Sequence, residues 1–166
     1  MPLFPPALPT PWATTQTELI QGASSSTLGA NVVYCYVFEV LATTTYSSMK
    51  IRIGATAAGT VDCGIYDSGG NLLIHCTAST ALSANVVNTI AFSANITLNP
   101  GRYIMALTPS SASDNYFRTG SINSGMERAY TATNTGTAGV LPGTTGTLLV
   151  TTSCASMSLV VVGGAP

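Results

Sequence analysis

Few side chains in this chain could do acid–base, nucleophilic or metal chemistry. The single histidine, His75, stands between Ile74 and Cys76, and the cysteines are Cys35, Cys63, Cys76 and Cys154. A histidine beside a thiol could act as base to a nucleophile. His75 and Cys76 are consecutive on a strand-like run, however, and consecutive strand residues point to opposite faces. The two cannot form a dyad, and His75 is expected to be an ordinary strand residue. No cysteines are spaced Cys-x-x-Cys, and one histidine gives no zinc spacing. Glu18, Glu39, Asp62, Asp67, Asp114 and Glu127 are dispersed, so a carboxylate pair could arise only by folding. There is no Gly-x-Ser-x-Gly, His-Glu-x-x-His or phosphate loop. Nucleophile, base and orienting group cannot all be found, so no enzyme, cofactor or metal is expected. Asp67, Asn71 and the glycines between them could offer oxygen to calcium. A hairpin turn uses the same residues, and with no second acidic cluster the turn is the expected reading.

The elements that would position these residues are strands. Thr60 to Tyr66 alternates Val61, Cys63 and Ile65 with Asp62, Gly64 and Tyr66, which predicts a strand with one apolar, half-buried face. Asp67-Ser68-Gly69-Gly70-Asn71 supplies a tight hairpin tip, and Leu72 to Cys76 returns, giving a hairpin over 60–77. Cys63 and Cys76 lie about equally far from the tip and could face each other across the ladder. A bridge between directly paired strand residues is strained, and a cytoplasmic origin favours free buried thiols. Pro100-Gly101 launches a strand over 102–108 with Tyr103, Met105 and Leu107 on one face. Asn31 to Leu41 is apolar on both sides (Val33, Cys35 and Val37; Tyr34, Tyr36 and Phe38), so it is expected to be covered twice, by the core and by a neighbour. Ala42 to Ser48 reads as a Thr-rich turn, and Met49, Ile51 and Ile53 alternate with Lys50 and Arg52 as a one-sided strand. Further strands are expected over 82–92, at Ile96 and Leu98, at Leu148 to Val150, and from Met157 to Val162. Residues 109–146 are too long for a plain connection and read as an excursion containing short strands, in contact with neighbours or a ligand. Eight to ten short strands and no amphipathic helix predict an all-β antiparallel sandwich or jelly roll.

Only 7% of residues are charged, the net charge is −1, and Ser and Thr make up about a quarter of the chain. Ordinary soluble domains carry about 25% charged residues. A neutral hydroxyl surface does not repel its neighbours and suits contact with other protein. Lys50, Arg52, Arg102, Arg118 and Arg128 form no stripe, which argues against nucleic acid. No apolar run approaches the roughly 20 residues of a membrane-spanning helix. Asn95-Ile96-Thr97 has the form of a glycosylation sequon, but no secretory signal is recognised at the N-terminus, and a cytoplasmic origin is expected.

Five of the nine prolines fall in residues 1–12. Proline at this density favours an extended arm. Leu3, Phe4, Leu8 and Trp12 on that arm are candidate anchors for a groove on another subunit, with the ordering cost lowered by the prolines. Thr15-Gln16-Thr17-Glu18 fits a capping box for at most one short turn. Residues 1–29 are therefore expected to be arm and connector, and 30–166 the sandwich domain.

The pairing of Gly64-Ile65-Tyr66-Asp67, Gly70-Asn71-Leu72 and Leu98-Asn99-Pro100-Gly101-Arg102-Tyr103 resembles the jelly-roll modules of structural proteins in tailed bacteriophages, namely capsid decoration (cement) proteins and tail-fibre tips. The resemblance covers roughly residues 30–110. It implies a virion protein made in the host cytoplasm and placed on the outer capsid surface, a homotrimer bracing the major capsid protein. The alternative it carries is a tail-fibre tip that binds a host surface glycan. The chain starts at its own Met1 without a shaft, which favours decoration. Tyr66, Tyr103, Tyr116, Phe117 and Tyr130 offer aromatic faces that could equally stack on sugar, fill a core or line an interface, and Tyr116, Phe117 and Tyr130 are the candidate contacts.

Overall fold

The computed structural model describes residues 24–27, 29–30, 32–76, 80–112, 115–118, 129–133, 136–146 and 159–163. The anchors Leu3, Phe4, Leu8 and Trp12, the capping box at 15–18, Cys154 and the strand expected around Leu148 lie outside them. Every regular element described is a strand: β1 (Ser24–Thr27), β2 (Val32–Val40), β3 (Thr44–Arg52), β4 (Thr60–Tyr66), β5 (Leu72–His75), β6 (Thr80–Ala81), β7 (Val87–Leu98), β8 (Gly101–Pro109), β9 (Asn115–Arg118), β10 (Ala129–Thr133) and β11 (Leu159–Gly163). All the pairings are antiparallel.

One sheet runs β10-β2-β8-β4-β5, with β6 also on β4; a second runs β11-β3-β7; β1 and β9 pair by themselves. The two larger sheets share a core. Tyr36, Ile65 and Leu107 from the first meet Met49, Ile51 and Ile90 from the second. The chain is thus an all-β antiparallel sandwich. Tyr103, Met105 and Leu107 share this inner side, as their alternation requires.

Several boundaries differ from the sequence reading. The Thr-rich run is strand from Thr44 onward, because β-branched Thr suits extended backbone and Thr45 Oγ1 bonds Thr97 Oγ1 across the ladder at 2.9 Å. The expected strands at 82–92 and 96–98 are joined from Val87 onward in one element, β7, which pairs with β3 on both sides of a register shift between Tyr46 and Ser48. A strand, β1, also lies in the small-residue connector and pairs with β9.

The main correction concerns the other face of the first sheet. Thr60–Tyr66 is buried at every position after Thr60, and is not one-sided. Val33, Cys35, Tyr66, Ile104 and Ala106 form a second core on this face, and Leu141 closes it. Part of this face is thus covered by the chain's own segment 136–146, a strap from the long excursion that lies over β4 and β5. The strap is tied along its length. Leu72 N donates to Gly143 O at 2.9 Å, Thr145 N to Gly70 O at 2.9 Å, and Tyr66 Oη to Pro142 O at 2.7 Å.

Gly64 sets how closely the strap approaches. A Cβ there would collide with Ile74 O and stand 2.9 Å from Leu141 Cδ1. Gly64→Ala is expected to destabilise the fold by about 3 kcal/mol through overpacking. Urea unfolding should show a lower midpoint at unchanged slope, and an unaltered midpoint would show that the strap can yield.

Candidate functional site

The described residues bring their chemistry-bearing side chains together at one place, the open end of the β4–β5 hairpin. The register pairs Gly64 with His75 and Ile65 with Ile74. One residue further, Cys76 N donates to Cys63 O at 3.0 Å, so the two cysteines stand opposite each other, as their spacing from the tip suggests. Both are free thiols in the inter-sheet core.

Asp62, on the strap side of β4, is the centre of the cluster. It is only 2% exposed, and its carboxylate receives three donors. His75 Nδ1 lies 2.8 Å from Oδ2, Leu141 N donates to the same oxygen at 2.8 Å, and Cys76 Sγ donates to Oδ1 at 2.9 Å. A buried carboxylate is tolerated only with such a set of donors. With the carboxylate accepting, His75 bonds Asp62 through its Nδ1–H. The His75 side chain is 33% exposed.

The thiols are coupled to this centre. Cys63 hydrogen-bonds to Cys76, and this bond, with burial behind it, pushes the Cys63 thiol well above its ordinary value. The same bond pulls Cys76 below its ordinary value, against burial and the Asp62 carboxylate, which raise it. Tyr66 is pushed up chiefly by burial and keeps its proton for Pro142 O.

Imidazole and thiol each end on the carboxylate and not on each other. Cys76 belongs to the inter-sheet core, whereas His75 pairs with Gly64 beneath the strap. The arrangement orients a histidine and pins the strap; it does not set a base against a nucleophile. No group of three or more His, Cys, Asp or Glu side chains suited to a metal occurs among the described residues. At the hairpin tip Asp67 is occupied by Asn71: Oδ1 accepts from the backbone N–H at 2.8 Å and Oδ2 from the side-chain amide at 2.9 Å.

The aromatic candidates lie on different elements. Tyr116 and Phe117 lie on β9, opposite Ser26 and Ser25, whereas Tyr130 lies on β10 opposite Cys35, in a different sheet. Tyr66 is fully buried and is removed as a surface contact. Tyr103 is half-buried with Phe38 and Tyr46, and the Phe38 centroid lies 6.0 Å from Tyr103 and 6.1 Å from Tyr46. In the sequence Asp62 is only one of six dispersed carboxylates, with no site role of its own. Its signal was a carboxylate set in Val61-Asp62-Cys63-Gly64-Ile65-Tyr66, where a buried strand must supply it with donors.

Comparison with known proteins finds no matching family model, no matching curated protein and no matching solved structure.

Two outcomes follow from this geometry. Asp62→Ala leaves Leu141 N and His75 Nδ1 without their acceptor, which should cost about 3 kcal/mol. Hydrogen exchange should accelerate at Leu141 and Thr145 before it does in the inter-sheet core; uniform acceleration would contradict the pinning role. Asp67 is held below the usual carboxylate range, first by the Asn71 side-chain amide and then by the Asn71 backbone N–H. A depressed folded value means stability that is complete above the ordinary carboxylate range and fades as pH falls through the folded value. Asp67→Ala should therefore be less stable than the parent at neutral pH, with the gap closing in acid. Unfolding curves across the acid range would show this, and a constant gap would exclude it.

Proposed function

We propose that this chain is a structural virion protein, a jelly-roll capsid decoration protein that binds the major capsid protein and neighbouring subunits as a homotrimer. The observation that carries the reading is the character of β7. It is an edge strand of the second sheet among the described residues, and its twelve residues, Val87–Leu98, include no charged residue and no proline. Sheet edges that must stay solitary are usually blunted by lysine, inward charge or proline. Apart from its irregularity opposite Ser47, β7 carries none of these, and Thr89, Ala91, Ser93, Asn95 and Thr97 expose a neutral surface. A surface of this kind suits close packing against other protein. The proline-rich arm, with Leu3, Phe4, Leu8 and Trp12, would add apolar anchors to the same contact. On this reading the chain performs no reaction, and Asp62 serves the fold.

A second reading, host glycan binding by a tail-fibre-tip module, is favoured by one observation. Phe38, Tyr46 and Tyr103 form a half-buried aromatic cluster, and Tyr103 Oη bonds the carbonyl of Asn99 on a rim that also holds Thr43. Half-exposed rings beside neutral polar groups suit sugar as well as protein.

Capsid binding separates the two. The full chain should co-sediment with capsids and raise their disruption temperature, whereas deletion of residues 1–12 should leave the domain folded and abolish both effects. A truncated protein that binds as the parent does would refute the role of the arm. A full chain that ignores capsids, yet binds host cells and is displaced by free sugar and weakened by Tyr103→Ala, would replace the first reading with the second.

A further inference from the structure

We propose that Cys63 and Cys76 are a redox-active dithiol that closes into a disulfide across the open end of the β4–β5 hairpin when the chain meets a small disulfide oxidant. The two residues stand opposite each other, joined by the backbone bond from Cys76 N to Cys63 O. Directly opposed strand residues that share such a bond have Cα atoms about 5.5 Å apart, inside the span a disulfide bridges. Both side chains lie in the same inter-sheet core, and both are thiols. Cys63 is fully buried, whereas Cys76 stands one residue past the end of β5 and retains 4% exposure. Cys76 Sγ donates to Asp62 Oδ1 at 2.9 Å, which holds the thiol form, whereas the hydrogen bond from Cys63 favours the Cys76 thiolate and is the larger effect. Cys76 is therefore the attacking sulfur and Cys63 the resolving one. Cys35 belongs to the other core, with Tyr66 and Leu141, and does not compete.

The exchange balances with glutathione disulfide as oxidant. Cys76 gives its proton to solvent, and its thiolate attacks one sulfur of the oxidant. The oxidant's S–S bond breaks, a mixed disulfide forms, and the departing thiolate takes up a proton from solvent. The Cys63 thiolate then attacks Cys76 Sγ, the mixed disulfide breaks, and a second thiol leaves with the Cys63 proton. Two protein thiols are oxidised and one small disulfide is reduced to two thiols. Closure removes the S–H donor from Asp62 Oδ1 while Oδ2 keeps His75 and Leu141 N, so the redox state of the hairpin is felt at the anchor of the strap.

The aspartates make a direct test available. Asp62, Asp67 and Asp114 are the only ones in the chain, so cleavage before aspartate places the four cysteines on four separate peptides, 1–61, 62–66, 67–113 and 114–166. The full chain is incubated in native buffer with glutathione disulfide, its remaining thiols are alkylated, and it is cleaved and weighed. The expected product joins 62–66 to 67–113, is undone by dithiothreitol, and forms without loss of the near-ultraviolet circular dichroism of the folded chain. Cys63→Ser should instead leave glutathione on Cys76. Peptide 62–66 fully alkylated, joined to 1–61 or 114–166, or linked to 67–113 only as the dichroism collapses, would overturn the proposal. The map of the parent chain decides the matter even if the variant does not fold.

Discussion

A sheet with apolar side chains on both faces must be covered on both, and that requirement governs this molecule. β2, β4 and β8 send Tyr36, Ile65 and Leu107 into the space between the sheets, and Cys35, Tyr66 and Ala106 to the opposite side. The second sheet buries the first set. The second set needs its own cover, and among the described residues the strap 136–146 contributes to it through Leu141. A strap without regular structure has backbone groups to satisfy. It satisfies them against the sheet's own margin, at Gly70, Leu72, Tyr66 and Asp62. Asp62 and Tyr66 both reach the strap from within β4, so a carboxylate and a phenol set in an otherwise apolar strand help to hold an irregular segment over an apolar surface.

That arrangement explains which parts of the fold were legible in the sequence. Alternation is a local property, and it located β2, β4, β8 and the hairpin tip, where Asp67 and Asn71 close the turn as their types suggest. It also showed that residues 31–41 are apolar on both sides and need two covers. It could not say what the second cover is, because the contact of Leu141 with Asp62 spans 79 residues and leaves no periodic trace. The same limit applies to the Thr-rich run at 44–48. Threonine serves turns and strands alike, and what decided the matter was Thr97, 52 residues away. The candidate site was legible only in pieces. His75, Cys63 and Cys76 were noticed as residue types, and the opposition of the cysteines followed from the hairpin. Asp62, which joins them, was one of six scattered carboxylates until the fold brought the hairpin's open end to the strap.

Neutrality has a structural side as well as the functional one. With so few charges, the polar groups of the described surface bond largely to one another. Thr43 meets Asn99, Asn88 meets Ser83, and Ser110 accepts from Thr60. Such bonds are short-ranged and indifferent to salt, unlike surface ion pairs. A coat built this way keeps its form as ionic strength changes and does not repel a second copy of itself. Both properties are in keeping with the decoration role proposed above.

Cysteine, histidine and aspartate within hydrogen-bond reach of one another invite a catalytic interpretation, and the order of contact decides against it. In a nucleophile–base–orienter series the imidazole stands in the middle, taking a proton from one neighbour while the other steadies it. Here the carboxylate stands in the middle. His75 and Cys76 both give hydrogen bonds to Asp62, on different oxygens, and neither is placed to receive a proton from the other. A central carboxylate gathers donors toward itself, which is the requirement of an anchor: the more groups that converge on it, the better its burial is compensated and the more firmly Leu141 is held. The hydrogen bond between Cys63 and Cys76 stands outside this anchor, and the dithiol exchange proposed above is confined to those two sulfurs.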